Sequence, residues 1–275
     1  MDQYIVECIK YYAIQGKVVT QGELRLYMNV EITAEQLREE LDRLVNMGFV
    51  VHSDMRYTLA THAQSLCHWK ERGRCTKEKL HHAKVFLKIL KRIPWVECIY
   101  LTGSCGISNA VVEDDIDLMM VTSKKRLFIT RLIVMILATV MGVRRKRGVM
   151  QDPNAVCMNL WLDASDLLVP MVKRSRYAAR EIAQMQILHE RNEGGLIRFV
   201  LKNRWIEGYL PNFYTAYADK KSPTFVPTHK QNMTLDLVET LAKKIQLKYI
   251  KLHQTTELIT DTQLWFHPLD RSKLS

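Results

Sequence analysis

The longest apolar run in the sequence, residues 132–143, is too short to cross a bilayer, which requires about 20 residues. The six cysteines show neither the spacing of a disulfide framework nor the paired spacing of zinc ligands. No signal-peptide pattern opens the chain. These absences argue against a membrane protein and against a disulfide-stabilised secreted domain. We therefore expect a cytoplasmic protein without a membrane partner, in which the apolar run forms a buried core helix.

Acidic residues are scarce relative to basic ones. The 275 residues include 29 Asp and Glu against 40 Lys and Arg, which gives a formal net charge of +11. Such an excess favours polyanionic partners, for example nucleotides or RNA. The apolar fraction of 47% is ordinary for a globular protein, and the length allows two or three structural units.

Residues 1–60 show the pattern of a winged helix-turn-helix. Two capping boxes, Thr20 with Glu23 and Thr33 with Gln36, predict the starts of the second and third helices. The stretch 49–59 predicts a hairpin with its turn near Ser53 and Asp54. The third helix carries more acidic than basic residues, so phosphates would repel it. DNA reading by this unit is thus disfavoured; packing against the chain or homodimerisation are the alternatives.

The most informative stretch runs from residue 95 to residue 122. An apolar strand is predicted at 95–101, and a glycine turn follows at Gly103 and Ser104, where backbone N–H groups can approach an anion. Asp115 and Asp117 then begin a second strand and point to one face, because residues two apart on a strand share a face. Two adjacent carboxylates predict a site for a hard divalent cation such as Mg²⁺.

The turn and the two aspartates resemble the signature of the DNA polymerase beta-like nucleotidyltransferase superfamily. The resemblance implies that Gly103 and Ser104 hold a nucleoside triphosphate, and that Asp115 and Asp117 hold Mg²⁺ or Mn²⁺. Other parts are similar to prokaryotic nucleotidyltransferase-domain proteins with an N-terminal winged helix: ITRL at 129–132, CMNLWL at 157–162 and NRWIEGYLPN at 203–212.

The resemblance also implies a third carboxylate on the next predicted strand, residues 155–163. By strict alternation Cys157, Asn159, Trp161 and Asp163 share a face, and we favour Asn159 as the residue at the position of the acid. Asn159 would then contact the nucleotide. Asp163 remains a candidate catalytic residue beside Asp115 and Asp117 if the register differs; otherwise it caps the following helix.

Two functions compete on this basis. The first is an enzyme that transfers NMP from an NTP to a hydroxyl of RNA, of a protein or of a small molecule. The second, suggested by Asn159, is a catalytically degenerate nucleotidyltransferase-fold protein that acts as a nucleic-acid-binding or protein-interaction regulator. We favour the enzyme, because two close carboxylates without a function are costly to keep together.

The rest of the chain is predicted to be a polar connector at 61–75 and otherwise helical. The predicted helices are 75–93, 126–143, 176–190, 196–210 and 234–254, the last with Leu241 and Ile245 on its apolar face, and 211–231 is predicted to be irregular. The basic run 144–147 is a candidate contact for a phosphate. The predicted class is α+β with three units: a winged helix-turn-helix at 1–60, a nucleotidyltransferase domain at 76–165 and a C-terminal helical domain at 166–275.

Overall fold

A computed structural model describes residues 1–145, 152–220, 233–252 and 257–266. Over these residues the chain is a mixed α+β protein with one sheet of three strands and one of six. The predicted α+β class is confirmed. The assignments to the winged-helix and nucleotidyltransferase families stay predictions. None of the described helices combines the length and the apolar character that a membrane crossing requires.

The N-terminal unit has the elements that its local signals predict. Helices α1, α2 and α3 are Asp2–Ile14, Gln21–Tyr27 and Ala34–Asn46, and strands β1, β2 and β3 are Val19–Thr20, Val50–Ser53 and Arg56–Leu59. The strands form an antiparallel sheet in the order β1-β3-β2. Both capping boxes are present, because the hydroxyls of Thr20 and Thr33 accept hydrogen bonds from the N–H groups of Glu23 and Gln36.

The middle of the chain contains three strands of the larger sheet. Strands β4, β5 and β6 are Val96–Leu101, Ile116–Thr122 and Val156–Asp163, and helices α4, α5, α6 and α7 are Ser65–His82, Lys84–Leu90, Gly103–Gly106 and Leu127–Val140. The predicted strands and the predicted core helix α7 are confirmed. The polar connector at 61–75 is wrong, because most of it belongs to α4. That stretch has no proline, and Lys70, Glu71, Arg72 and Arg74 are good helix formers.

The C-terminal third completes the larger sheet. Helices α8, α9, α10 and α11 are Arg176–Ala183, Gly195–Lys202, Pro211–Ala218 and Met233–Lys251, and strands β7, β8 and β9 are Gln186–Glu190, Leu258–Ile259 and Gln263–Trp265. The strand order is β7-β4-β5-β6-β9-β8. The expectation that residues 166–275 are helical is therefore wrong in part, since three strands from this region share the sheet with β4, β5 and β6; the division into three domains stays a prediction.

Two local predictions in this region are also wrong, each for a physical reason. The helix predicted at 176–190 ends at Ala183, and the next residues pair as β7 with the edge of β4, where Ile99 is opposite His189. Pro211 was expected to open an irregular stretch. It is instead the first residue of α10, where proline is favoured because its missing N–H is not needed. Residues 221–231 of that stretch lie outside the described residues.

Apolar side chains cover both faces of the larger sheet. One face carries Ile116, Leu118 and Met120 and packs against α5 and α7. The other face carries Met119 and Val121 and packs against α8, α9 and α10. Asp117 has the same parity on β5 as Met119, so the candidate site lies on the second face.

Helix α11 is rotated relative to its apolar pattern. Its buried residues are Glu239, Ala242, Gln246 and Ile250, whereas Leu241 and Ile245, expected inward, are exposed. The Glu239 carboxylate accepts hydrogen bonds from the first N–H groups of α7, at Phe128 and Ile129. The Gln246 amide donates to the carbonyl of Phe128. These polar contacts with the start of α7 fix the rotation of α11, and hydrophobic periodicity does not report them.

The N-terminal unit is held to the rest of the chain by buried polar contacts. The Lys17 ammonium donates to the carbonyl of Ile107 at 2.8 Å, and the Gln184 amide donates to the Tyr12 hydroxyl at 2.6 Å. The Arg180 guanidinium lies 4.0 Å from the centre of the Tyr11 ring. The packing that the acidic third helix suggested is thus present within the chain.

We predict that Asn203→Ala will destabilise the protein by about 3 kcal/mol, because it leaves several buried backbone groups without partners. Asn203 is fully buried. Its carbonyl oxygen accepts hydrogen bonds from Val169 N–H and from the Trp205 indole, and its amide donates to the carbonyls of Leu167 and Phe199. Urea unfolding measures the loss, with the exposed Asn46→Ala as the control. A loss below about 1 kcal/mol would contradict this role.

Candidate functional site

The backbone of the glycine turn is in close contact with a carboxylate. Gly103 follows β4 with a φ of +62°, and a Cβ placed on it would lie 2.5 Å from Oδ2 of Asp117. The N–H of Thr102 donates to the carbonyl of Asp117 at 3.0 Å and ties the two strands together. Only glycine fits here, both in backbone conformation and in space. The turn and the second aspartate are thus one structural unit.

The two predicted acids lie side by side, and the side chain of a cysteine lies close to both. One carboxylate oxygen each of Asp115 and Asp117 and the Sγ atom of Cys157 all lie within 4.8 Å of one another. Cys157 is the residue of β6 that pairs with Asp117. Burial, and then the charge of Asp117, raise the pKa of the Cys157 thiol to about 12. At neutral pH the cluster therefore consists of two carboxyl groups and a neutral thiol.

Asn159 occupies the place next to Asp117 that the sequence suggested. Its amide nitrogen donates a hydrogen bond to Oδ1 of Asp117 at 2.6 Å. Leu118 pairs with Met158, and Met119 pairs with Leu160. Asn159, between them, therefore has no paired residue on β5 and forms a β-bulge. The bulge aims the amide at the acidic pair. The role of Asn159 towards a nucleotide stays a prediction.

The bulge also overturns the strict alternation that placed Asp163 on the face of Asn159. Asp163 pairs with Thr122, which is five residues beyond Asp117 on β5 and so points to the opposite face. The Asp163 carboxylate accepts hydrogen bonds from the N–H groups of Lys125 and Ser165, and it orders two loops. The structure thus does not bring Asp163 to the cluster, and we withdraw it as a catalytic candidate.

One residue of the basic run reaches the cluster. Nη1 of Arg145 lies 2.9 Å from Oδ2 of Asp115 and 3.5 Å from the sulfur of Cys157. Oδ2 of Asp115 is buried and accepts no hydrogen bond from the residues that the structure describes. The Arg145 guanidinium therefore balances the charge of Asp115, but its geometry is not that of a hydrogen bond to Oδ2. Arg144, also of this run, instead donates to the hydroxyl of Thr139, and residues 146 and 147 lie outside the described residues.

A buried lysine positions the loop that carries Asp115. The Lys79 ammonium is only 2% exposed and donates to the carbonyls of Val112 and Asp114 at 2.8 and 2.7 Å. A third contact, 3.4 Å long, reaches the side chain of Asn154. Lys79 is buried although lysine side chains are mostly exposed in proteins. Its ammonium joins the backbone just before Asp115 to the side chain of Asn154, which lies shortly before β6.

A cavity of about 460 Å³, lined mainly by polar and charged residues and called the polar cavity below, opens onto Gly103, Ser104 and Asp117. No described residue accepts a hydrogen bond from the N–H groups of Gly103 and Ser104, which are the first two of α6 and have no partner within the helix. Ser104 does not cap α6, since Thr102 precedes that helix. The remaining lining comes largely from the N-terminal unit and from α8, including Tyr11, Ile14, Gln15, Tyr177, Glu181 and Gln184.

Sequence reasoning missed Cys157 as a member of the cluster, Lys79 as its support and α1 as a wall of the cavity. A signal existed only for Cys157, which lies two residues before Asn159 on the predicted strand. Comparison with known proteins adds no identification: no family model, curated protein or solved structure matches this chain.

We predict that Gly103→Ala will abolish divalent-cation binding at the cluster, because the new methyl group displaces the Asp117 carboxylate. Gly142→Ala is a matched control: its φ is +68°, but nothing lies within 4 Å of the added Cβ. Both variants should lose about 1 kcal/mol of stability from the left-handed backbone. Mn²⁺ binding followed by electron paramagnetic resonance separates them, and unchanged binding in Gly103→Ala would refute the role of the contact.

Proposed function

We propose that this protein is a metal-dependent nucleotidyltransferase, which transfers NMP from an NTP to a hydroxyl acceptor. The observation that supports this most is the contact of Gly103 with the Asp117 carboxylate. It joins a turn with two available N–H groups to one carboxylate of the acidic pair, and Gly103, Ser104 and Asp117 line the same cavity. An anion-binding turn beside a cation-binding pair is what a metal-bound triphosphate requires.

The donor atoms of the cluster are suited to a hard divalent cation. Asp115 offers a buried carboxylate oxygen that accepts no hydrogen bond from the described part of the chain, and Asp117 offers a second carboxylate. Mg²⁺ and Mn²⁺ prefer such oxygens and complete their coordination with water and phosphate. A bound cation would neutralise charge on the triphosphate. Arg145 would have to withdraw from Asp115 to make room for it.

The chain's own groups would orient the donor. The N–H groups of Gly103 and Ser104 would donate hydrogen bonds to phosphate oxygens. In the reaction the acceptor oxygen bonds to the α-phosphorus, the bond from that phosphorus to the bridging oxygen breaks, and pyrophosphate leaves. The acceptor's proton is released to water, since the Asn159 amide cannot accept it. Positioning and charge neutralisation would provide most of the rate.

The polar cavity is acidic, which constrains how a nucleotide could enter it. Asp114, Asp117 and Glu181 line it, against one arginine, Arg72, whose guanidinium donates to the carbonyl of Gln15. A free triphosphate would be repelled by this lining. A nucleotide would therefore bind as its metal complex, and binding should depend on the cation.

A second candidate function is that of a catalytically degenerate, regulatory protein of the same fold. Two contacts favour it: Asn159 stands beside Asp117 where a third carboxylate would be expected, and Arg145 already balances the charge of Asp115. Such a protein could bind nucleic acid or another protein through its basic surface. The intact acidic pair and the open turn favour the enzyme.

We predict that ATP will bind only with Mg²⁺ or Mn²⁺. The double variant Asp115→Asn/Asp117→Asn should lower the affinity for the metal complex of ATP at least tenfold relative to the wild type. Calorimetric titration measures it for each NTP. Glu113→Gln, on the exposed loop beside the site, is the matched control and should bind normally. If no NTP binds the folded wild type with either cation, the enzyme proposal fails and the regulatory one remains.

We predict that Asn159→Asp will make the stability of the protein depend on a cation. The new carboxylate would face Asp117 at the place of a 2.6 Å hydrogen bond, which should cost about 1–3 kcal/mol without metal. Added Mn²⁺ should recover most of that loss. Thermal unfolding in EDTA and in Mn²⁺ measures the difference, and Asn159→Ala is the comparison that lacks the charge. An equal response of both variants to Mn²⁺ would contradict a cation site at the cluster.

A further inference from the structure

A second cavity, of about 330 Å³, lies beside the acidic pair on the same face of the sheet. Met119, Leu160 and Trp265 line it from the sheet, and the rest of its apolar lining comes from the elements that cover this face. That lining includes Val169, Ile182, Met185 and Phe199. The cavity is thus mainly apolar, unlike the acidic cavity at the glycine turn.

The polar groups of this second cavity come from the candidate site, from the segment before α8 and from α8 itself, which contributes Tyr177 and Glu181. Thr102 and Asn159 belong to the candidate site, and Asn159 is the residue hydrogen-bonded to Asp117. Lys173 and Arg174 come from the segment that precedes α8. Nε of Arg174 donates to the carbonyl of Val169. Lys173 adds an ammonium whose pKa is lowered by burial. A ligand here would meet an apolar wall, a cationic group and the reacting centre.

The two cavities meet at the candidate site. Asp117 lines the polar one and Asn159 lines the apolar one, and Tyr177 and Glu181 line both. A donor with its triphosphate at Gly103 and Ser104 and a second molecule in the apolar cavity would approach each other at the Asp117–Asn159 pair. This is the arrangement that a two-substrate transfer requires.

We propose that the apolar cavity binds the acceptor, and that the acceptor is a small molecule with an apolar body, a hydroxyl group and an anionic group. This rests on the proposed function above. A volume of about 330 Å³ lies in the range of small-molecule sites. A polynucleotide would instead need an open groove with several cations and stacking faces. The acceptor hydroxyl attacks the α-phosphorus, pyrophosphate leaves and the proton passes to water.

The test uses 6-hydroxy-2-naphthoate as a probe with those three features, and the full chain with ¹³C-methyl-labelled methionine. Met119 and Met185 line the cavity, whereas Met28 is buried in the N-terminal unit. We expect the probe to shift the methyl signals of Met119 and Met185 saturably, and to leave Met28 unchanged. Saturating Mg²⁺-ATP should not displace the probe.

Two variants locate the probe. Ala178→Trp places an indole in the cavity and should abolish probe binding while Mg²⁺-ATP binding persists; Ala216→Trp, on the exposed side of α10, is its control. Lys173→Met should weaken naphthoate about tenfold and leave uncharged 2-naphthol unaffected, because only the former loses an ion pair.

Absence of shifts at Met119 and Met185 in the folded wild type would overturn the proposal. Displacement of the probe by Mg²⁺-ATP would also overturn it and would assign the cavity to the nucleotide. Probe binding in a protein that binds no NTP would refute the proposed function and, with it, the assignment as an acceptor site, while leaving a ligand cavity. The two failures are therefore distinguishable.

Discussion

The approach of the Gly103 backbone to the Asp117 carboxylate is the contact on which the site depends. It sets the left-handed turn after β4 against the start of β5. The hydrogen bond from the Thr102 N–H to the Asp117 carbonyl fixes the distance between the turn and β5. The Asn159 bulge places an amide on the other oxygen of the same carboxylate. Asp117 is thus held from two sides by neighbouring strands, so the carboxylate is ordered before any ligand arrives.

Much of the fold could be predicted from the sequence, because it is encoded in local signals. The two capping boxes, the glycine turns and the strands at 96–101, 116–122 and 156–163 each depend on neighbours within a few residues. The proximity of Asp115 and Asp117 is also local, since it follows from their two-residue spacing. These features formed where the pattern indicated.

The remainder depends on contacts between distant residues, and pattern reading does not report those. Strand β7 forms because the edge of β4 is available. Helix α11 is rotated because its Glu239 carboxylate accepts a hydrogen bond from α7 and its Gln246 amide donates one to α7. The position of Asp163 depends on one extra residue in β6, which reverses the parity of all that follow. A bulge has no composition signature here, and Lys79 has the sequence context of a surface lysine.

The N-terminal unit has a consequence beyond its own fold, because Tyr11, Ile14 and Gln15 form part of the wall of the polar cavity. Whatever moves α1 also changes the shape of the cavity that faces Gly103. Thermodynamic linkage then requires reciprocity: a macromolecule that binds the N-terminal unit by shifting α1 changes the affinity of the cavity for its ligand, and that ligand changes the affinity for the macromolecule by the same factor. The affinity of the N-terminal unit for such a macromolecule would then depend on whether the cavity is occupied.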